Sequence, residues 1–265
     1  MIKGKQGLFK RIENYRFGMN TDLDYNQKIG FLECAIDNSI KSILENKSDI
    51  HLALSGGVDS SLILVKFLKY ADSRIPIVVH TIGSRKDHPD VEYSERLVTS
   101  LKKNYPNLSH NLEIMNISKD DLKNSNEILK ITQHFPSNYY MLMKAISLKT
   151  NKIVCGDCID ELMGGYYSHT DPKKFKTRKE AFEYFMSRLI PDHLSILDKI
   201  STNFNIEVIL PYGSKEVMES ANIFNTGELI NHKNRKKPIY DLARKNDLPK
   251  AILNRRKYGL VSALD

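Results

Sequence analysis

The sequence has few of the features that mark secreted or membrane proteins. Its 265 residues contain three cysteines, Cys34, Cys155 and Cys158, too few for a disulfide framework in a chain of this length. The longest apolar run, near Leu62, is far shorter than the roughly 20 residues of a membrane span. The first residues lack the apolar core of a secretory signal, and the chain has no internal repeat or low-complexity tract. These absences predict a cytoplasmic protein without membrane attachment.

Composition and charge are those of a globular protein with a basic end. Hydrophobic residues make up 41% of the chain and charged residues 27%, and the length suits one α/β domain or two small ones. The formal net charge is +8, and the ten basic and two acidic residues between Asn231 and Tyr258 account for all of it. Such a segment attracts phosphates on a nucleotide or a nucleic acid, unless it is only a solvated face.

Residues 55–61 have the layout of a phosphate-binding loop. They read Ser55-Gly56-Gly57-Val58-Asp59-Ser60-Ser61 and lie between an apolar strand-like run, 50–54, and an apolar helix-like run, 62–70. Glycines let the backbone approach an anion closely, and the free N–H groups of a helix start favour negative charge. The serines add hydroxyl donors, and Asp59 is a candidate magnesium ligand. The alternative is a plain glycine turn followed by a helix cap.

The spacing of this loop excludes two common nucleotide motifs. It lacks the Gly-x-x-x-x-Gly-Lys-Ser/Thr of the Walker loop and the Gly-x-Gly-x-x-Gly of dinucleotide folds. Ser-Gly-Gly-x-Asp-Ser instead resembles the pyrophosphate loop of the ATP pyrophosphatases, which cleave ATP to AMP and pyrophosphate.

The first part of the chain alternates between strand-like and helix-like segments. Strands are predicted at 50–54, 76–83, 110–117 and 152–156, and helices at 27–45, 62–70, 91–101, 118–131 and 138–148, with caps at Asp90 and Ser118. This α/β alternation predicts a parallel sheet covered by helices on both faces, with ligands at the carboxyl ends of its strands. We expect a single domain with an N-terminal extension (1–26), an ATP-binding core (27–165) and a helical, basic C-terminal part (166–265).

A second loop follows the last predicted strand. The run Gly156-Asp157-Cys158-Ile159-Asp160-Glu161-Leu162-Met163-Gly164-Gly165-Tyr166 holds three carboxylates within five residues. Carboxylates this close repel one another unless a cation joins them. A magnesium ion held by Asp59 and Asp160 would neutralise this charge and bridge phosphates. An acidic helix N-terminus is the alternative.

Together the two loops resemble the synthetase domain of the asparagine synthetase family. Gly-Asp-x-x-Asp-Glu-Leu-x-Gly-Gly-Tyr is similar to the second signature of that family. Residues 207–212 are similar to its Val-x-x-Pro-Phe segment, and residues 237–243 with 248–260 are similar to its Lys-x-x-Leu-Arg-x-Ala and Leu-Pro-x-x-Ile-Leu-x-Arg-x-Lys-x-Gly-Phe ending. The resemblance covers roughly residues 27–260.

The resemblance implies ATP and Mg²⁺ as the bound groups. Asp59 and Asp160 would bind the metal, and Leu54 and Ile82 would flank the adenine. Asp157 stands where the family places an acidic residue near the acyl-adenylate and the incoming amine. Lys237 stands where the family places a lysine against the pyrophosphate, so Asp157 and Lys237 are the implied catalytic residues. The residues implied to contact ATP are Leu54, Ser55, Gly56, Gly57, Asp59, Ser60, Ser61, Ile82 and Gly156.

The reaction implied is AMP-forming carbon–nitrogen ligation. A substrate carboxylate is adenylated with loss of pyrophosphate, and ammonia or another amine then takes the acyl group. Position 2 is Ile2 where the family's glutaminase domain has its nucleophilic cysteine, and only some 50 residues precede the first loop. We therefore expect no glutaminase domain here, and ammonia that is free or supplied by a separate glutaminase subunit. Asp241 and Leu260 depart from the family pattern and leave the acid open, with aspartate one candidate.

A tRNA-modifying enzyme, of the thiolating or lysidine type, is the alternative. Cys155 and Cys158 form a Cys-x-x-Cys pair, and the basic segment suits a nucleic acid. A cluster needs about three or four ligands, and the remaining cysteine, Cys34, lies on the apolar side of a predicted helix, so packing is the simpler explanation for the pair. NAD synthetase shares only the first loop, and a non-catalytic scaffold would not need the site residues above. The histidines His134, His169 and His232 have no metal-ligand spacing, whereas Tyr139, Tyr140, Tyr166 and Tyr167 line a pocket or pack in the core.

Overall fold

A five-stranded parallel sheet forms the centre of the computed structural model, which describes residues 1–19, 21–130, 137–231 and 234–256. The strands are β1 (Ile50–Ala53), β2 (Ile77–Gly83), β3 (Leu108–Ile114), β4 (Lys152–Val154) and β5 (Glu207–Ile209). Their order across the sheet is β3-β2-β1-β4-β5, and helices cover both faces. The predicted α/β fold class is confirmed.

Helices connect and follow the strands. They are α1 (Lys5–Glu13), α2 (Tyr25–Leu44), α3 (Val58–Tyr70), α4 (Pro89–Lys102), α5 (Lys119–Leu129), α6 (Ser137–Ser147), α7 (Ile159–Met163), α8 (Arg178–Arg188), α9 (Ser195–Asn203), α10 (Lys215–Asn222), α11 (Thr226–Leu229), α12 (Lys237–Lys245) and α13 (Lys250–Leu253). A π-helical turn, Leu189–Leu194, joins α8 to α9. No helix in the described part of the chain is both long and apolar enough to cross a membrane.

Helix starts follow the local chemistry of their first residues. Asp24 and Gln27 form a reciprocal capping box at α2, and Ser118 caps α5 as predicted. At α4 the predicted cap is wrong: the helix begins at Pro89, and the Nδ1 atom of His88 accepts a hydrogen bond from the Asp90 amide at 3.1 Å. The Asp90 carboxylate is instead engaged by Arg255.

Two short elements have no counterpart in the sequence prediction. Residues 5–13 form α1, and β5 lies in the part of the chain expected to be mainly helical. The first residues extend the sheet edge, because the Lys3 amide donates to the Val208 carbonyl at 2.9 Å and the Val208 amide donates to the Met1 carbonyl at 2.8 Å. The N-terminal extension is therefore docked on the C-terminal part. Three predictions, for His134, His232 and the 257–260 end of the last motif, lie outside the described residues.

The strand order brings the two functional loops together. From β1 the chain moves through β2 to β3 on one side of the sheet, and β4 and β5 lie on the other side. The parallel neighbours β1 and β4 meet at the Leu52–Val154 pair. Ligands of open parallel sheets bind at such a reversal of strand order, outside the carboxyl ends of the strands. Both loops, which directly follow β1 and β4, lie at this position.

Candidate active site

A cavity of about 520 Å³ lies at the carboxyl ends of β1 and β4. This volume is in the usual range for small-molecule sites. Its wall combines residues from both loops with residues from the π-helical turn and the C-terminal part. Of the residues predicted from the sequence, the following line it: Leu54, Ser55, Gly57, Asp59, Ser60, Ile82, Gly156, Asp157 and Asp160. Gly56, Ser61 and Lys237 are not part of the wall.

The first loop presents a helix start to the cavity. Helix α3 begins at Val58, and its N-cap, Gly57, makes no side-chain capping hydrogen bond. The amides of its first turn are therefore oriented to receive an anion. Ser55 Oγ lies 3.3 Å from the Gly57 amide and 3.2 Å from Ser60 Oγ, which fixes the curvature of the loop.

Gly56 and Ser61 support the loop from outside the cavity. Gly56 has φ +66°, and an added Cβ would lie 2.6 Å from the Ser94 amide nitrogen. Glycine is needed here because of this positive φ and because the loop packs closely against α4. The Ser61 side chain is fully buried. The sequence therefore identified both as loop residues, but the structure gives them supporting positions.

Asp59 and Asp160, which were predicted to share a magnesium ion, converge on the ammonium group of Lys236. Lys236 Nζ lies 2.5 Å from Asp59 Oδ2 and 2.8 Å from Asp160 Oδ1. Burial alone would lower the pKa of Lys236, but the two carboxylates raise it above its ordinary value. Gly165 makes room for this contact, since an added Cβ would lie 1.7 Å from Asp160 Oδ1. The two loops are thus joined by one cation.

Lys237, the lysine predicted to act on the pyrophosphate, does not line the cavity. Its Nζ lies 2.8 Å from Asp241 Oδ2 and 3.5 Å from the centre of the Tyr25 ring. The chain turns between the two lysines, because Lys236 has the left-handed conformation φ 50°, ψ 39° immediately before α12 begins. Lys236 therefore reaches the site, whereas Lys237 pairs with Asp241 on the outside of α12.

The donor set at this point fits Mg²⁺ accompanied by a polyphosphate. Mg²⁺ is commonly bound by one or two carboxylates together with substrate phosphates and water. Asp59 and Asp160 supply the two carboxylates, and Asp59 Oδ1 is buried without a hydrogen-bond partner among the described residues. Within the described ranges no three His, Cys, Asp or Glu side chains are grouped to hold a metal by themselves. The protein supplies part of a coordination shell, and a phosphate ligand would have to complete it.

Asp157 lies in the same cavity and is held by two side chains that the sequence did not connect to it. Tyr139 donates its hydroxyl to Asp157 Oδ1 at 2.8 Å, and His193 Nε2 lies 2.7 Å from the same oxygen. His193 Nδ1 lies 3.5 Å from Glu161 Oε1, to which Tyr166 donates at 2.6 Å. Sequence analysis named both tyrosines as pocket candidates but missed His193, which belongs to no motif.

Arg255 fastens the end of the described chain to the first loop. Its Nη1 atom donates to the Ser55 carbonyl at 2.6 Å, and its Nη2 atom pairs with Asp90. The side chain is buried and lines the cavity. The segment that resembles the family's Arg-containing ending is therefore part of the site.

Tyr212 also supports the first loop. It ends the segment 207–212 that resembles the Val-x-x-Pro-Phe motif, and its side chain is fully buried. Its hydroxyl donates to the Asp59 backbone carbonyl at 3.0 Å, so this motif holds the loop from behind.

The cysteine pair is arranged for packing. Cys155 and Cys158 are both buried, and burial raises the pKa of each thiol well above its ordinary value. A thiolate that ligates metal or carries sulfur needs the opposite shift.

Comparison with known proteins identifies a family. The family model described as asparagine synthase matches residues 32–183. The relatives include an asparagine synthetase (glutamine-hydrolyzing) of Mus musculus, 29% identical over 188 residues, which are 68% of this chain and 33% of the relative. They also include a putative asparagine synthetase of Methanocaldococcus jannaschii, 25% identical over 230 residues, 80% of this chain and 39% of the relative. The chain thus spans about a third of the length of the curated relatives it matches.

Solved structures show only remote similarity. An NH3-dependent NAD synthetase from Campylobacter jejuni has a TM-score of 0.37 and 15% identity, covering 69% of this chain and 93% of the other. A U34-tRNA thiolase from Methanococcus maripaludis with its [4Fe-4S] cluster has a TM-score of 0.38 and 15% identity, covering 81% of this chain and 72% of the other. At this similarity neither structure indicates a function for the chain.

Proposed function

Because this chain belongs to the asparagine synthase family, we propose that it is an ATP-dependent ligase that forms an amide. A substrate carboxylate displaces pyrophosphate from ATP, and ammonia or another amine then takes the acyl group with release of AMP. The chain would act in the cytoplasm, and a separate glutaminase subunit is one source of the ammonia. Residues 1–265 would work as one domain.

The observation that carries this proposal is the convergence of the two loops on one cation. Asp59 from the first loop and Asp160 from the second lie within 2.8 Å of the same ammonium nitrogen. A helix start free of side-chain caps faces the same cavity. A polyphosphate needs both features, because its charge must be met by a cation and by amide donors. The acid is bound in the remaining part of the cavity.

The side chains divide the work as follows. Leu54, Ile82, Ser55, Gly57 and Ser60 all line the cavity. Leu54 and Ile82 would flank the adenine, and the other three would border the phosphates. A bound Mg²⁺ would be held by Asp59 and Asp160 and would neutralise phosphate charge. Lys236, released from these carboxylates, would stabilise the leaving pyrophosphate. Asp157 would accept a proton from the attacking amine.

A substrate screen tests the proposal. ATP and Mg²⁺ are incubated with the protein and a panel of carboxylic acids that begins with L-aspartate, with ammonium, with glutamine or without an amine. We expect acid-dependent pyrophosphate and AMP, and we expect Asp160→Asn to reduce their formation at least about 100-fold. Asp72→Asn is the matched control, because Asp72 pairs with Arg74 on the surface, where both side chains are exposed.

Other products would refute this function. ADP and phosphate in place of AMP and pyrophosphate would exclude adenylation. Pyrophosphate release that needs tRNA instead of a small acid would favour the tRNA-modifying alternative. The buried, high-pKa thiols of Cys155 and Cys158 speak against thiolation.

A further inference from the structure

His193 lies between two carboxylates of the cavity wall. Its Nε2 atom is 2.7 Å from Asp157 Oδ1, and its Nδ1 atom is 3.5 Å from Glu161 Oε1. Both ring nitrogens therefore face acceptors, which only the doubly protonated imidazolium satisfies. The hydroxyl of Tyr139 contacts both His193 Nε2 and Asp157 Oδ1.

The backbone that carries His193 is unusual. His193 belongs to the π-helical turn Leu189–Leu194, whose end residues are buried at 1% and 0% exposure. Single π turns inside helices occur often at functional sites, because the wider turn redirects a side chain. Asp192 and His193 of this turn, and Arg188 at the end of α8, line the cavity.

Three segments contribute the described side chains that pair or hydrogen-bond with the imidazole. Asp157 lies in the loop after β4, Glu161 on α7, and Tyr139 on α6. On its own side of the cavity, Arg188 is paired with Asp192. Burial would lower the pKa of His193, but the hydrogen bonds to Asp157 and Glu161 and their charges raise it to about 10. For Asp157, burial would raise the pKa, and the contacts with His193 and Tyr139 bring it below the usual range.

One oxygen of Asp157 is left for the substrate. Oδ1 accepts from both Tyr139 and His193, whereas Oδ2 takes no hydrogen bond from any residue in the described ranges. The carboxylate keeps 15% of its side-chain surface exposed in the cavity wall. A carboxylate fixed through one oxygen presents the other in a defined direction.

We propose that His193 is the positioning residue for Asp157: it holds Oδ1 of that carboxylate so that Oδ2 faces the amine that attacks the acyl-adenylate. This inference rests on the proposed ligase function. The amine nitrogen bonds to the carbonyl carbon, and the carbon–oxygen bond to AMP breaks, with its electron pair leaving on AMP. The proton lost by the nitrogen goes to Asp157 Oδ2.

Histidine NMR on the free protein tests the geometry without a substrate. In ¹⁵N-histidine-labelled protein at pH 8, we expect both His193 ring nitrogens to be protonated. In Asp157→Asn the ring should become neutral at pH 8, because a main charge partner is lost. A neutral His193 in the unsubstituted protein, or an imidazolium that Asp157→Asn does not affect, would overturn the proposal.

Kinetics of His193→Gln separate positioning from folding. The assay uses ATP and L-aspartate, with exchange of labelled pyrophosphate into ATP reporting adenylation alone. We expect exchange to stay within about threefold of the unsubstituted protein, and amide formation with ammonium to fall about 100-fold. Hydroxylamine is a weaker base than ammonia, so its adduct loses its proton to water more readily, and we expect a clearly smaller loss in the rate of hydroxamate formation. Glu183→Gln, on the exposed surface of α8, is the matched control.

The two failures are distinguishable. If no acid in the panel supports pyrophosphate exchange in the unsubstituted protein, both the ligase function and this inference fail. If exchange is present but His193→Gln lowers exchange, amide and hydroxamate formation equally, or lowers none, only the positioning role is wrong.

Discussion

Lys236 reaches the two carboxylates because its backbone is left-handed, a conformation that costs a non-glycine residue roughly 1–2 kcal/mol. Its side chain is only 3% exposed, and its ammonium group occupies the point where a divalent cation would bind. A divalent ion at this point would lie so close to the ammonium group that the two cations would repel each other strongly. We therefore expect Lys236 to exclude divalent metal until phosphates draw its ammonium group away.

Lys236→Met tests this exclusion. Without nucleotide, we expect the variant to bind Mn²⁺, a spectroscopic substitute for Mg²⁺, at least about tenfold more tightly than the unsubstituted protein. The variant should also unfold more easily by about 3 kcal/mol, since buried carboxylates lose their partner, and Mn²⁺ should restore part of that stability. Electron paramagnetic resonance measures the binding, and thermal unfolding measures the stability.

Lys237→Met is the matched comparison. Lys237 pairs with Asp241 at about 30% exposure, so we expect its replacement to leave Mn²⁺ binding unchanged and to alter stability by less than about 1 kcal/mol. Equal Mn²⁺ affinities in the two variants would show that Asp59 and Asp160 do not form a cation site.

Gly165→Ala should disrupt the same site from the backbone side. The new Cβ would lie 1.7 Å from Asp160 Oδ1 and 2.9 Å from Lys236 Cδ, so the ion pair must move. We expect loss of most pyrophosphate release and a decrease of about 1–3 kcal/mol in the free energy of unfolding. Gly30→Ala is the control: no atom lies within 4 Å of its added Cβ in α2, so it should stabilise the protein by about 0.5–1 kcal/mol. An active Gly165→Ala variant would contradict the close packing of Asp160.

For individual residues, the sequence predicted which loops border the cavity more accurately than it predicted which side chains contact each other. Asp59, Asp157 and Asp160 were found because each belongs to a dense local pattern. Lys236 lines the cavity and Lys237 does not, because a single left-handed residue decides which lysine turns inward, and no spacing rule reports that. His193 had no local signal, since its partners lie 32 and 36 positions earlier in the chain.

Among the secondary-structure elements, the long periodic ones were predictable and the short ones were not. Helix α2 was recognised because its buried residues recur at helical spacing, and strand β2 because it is a continuous, mainly apolar run that is almost wholly buried. Strand β5 has three residues, too few to establish an alternation, and its neighbours Ile2 and Val154 decide its position. Pairing across the sheet, not local propensity, forms it.

The contact between α2 and α3 yields a prediction at the element scale. Lys66 of α3 is fully buried and pairs with Glu33 at 2.8 Å and Asp37 at 2.7 Å on α2. Lys66→Met should decrease the free energy of unfolding by about 3–5 kcal/mol, because two carboxylates lose a buried partner. Urea denaturation followed by circular dichroism measures this change.

Lys69→Met is the control for that prediction. Lys69 is exposed on the same helix, and its Nζ lies 5.2 Å from the centre of the Tyr70 ring. Its replacement should change stability by less than about 1 kcal/mol. If both variants are equally stable, the Lys66 ion pairs do not hold α2 on α3.

For the whole molecule, the basic segment is largely occupied by ion pairs within the chain. Eight of the ten basic residues between Asn231 and Tyr258 lie in the described part of the chain, and five of these pair with carboxylates: Lys236, Lys237, Arg244, Lys245 and Arg255. Their partners include Asp59 in the first loop, Asp90 on α4 and Glu33 on α2. The sequence predicted the positive charge of this segment but not the ion pairs that it forms. These ion pairs join the C-terminal part to the side of the cavity formed by the first loop. It weakens the case for a nucleic-acid surface.

We therefore expect the N-terminal extension, the core and the C-terminal part to unfold together and not in separate transitions. Strand β5 of the C-terminal part pairs with β4 of the core, the first residues pair beside β5, and α9 packs on α5 and α6. The parts thus share one apolar core, and elements that share a core unfold together. In urea we expect the helical circular dichroism signal and the near-ultraviolet tyrosine signal to decrease in one coincident transition.

The Ile2→Ala variant tests whether the N-terminal extension unfolds together with the rest of the molecule. Ile2 is 2% exposed in the shared core, so the loss of its side chain should decrease the free energy of unfolding by about 2–4 kcal/mol. If the molecule is one cooperative unit, both spectroscopic transitions should move to lower urea by the same amount with unchanged slope. If the N-terminal extension is independent, this substitution should leave the main transition where it was and add a small separate one. That outcome would also remove the extension from any account of how the β4–β5 side of the cavity is held in place.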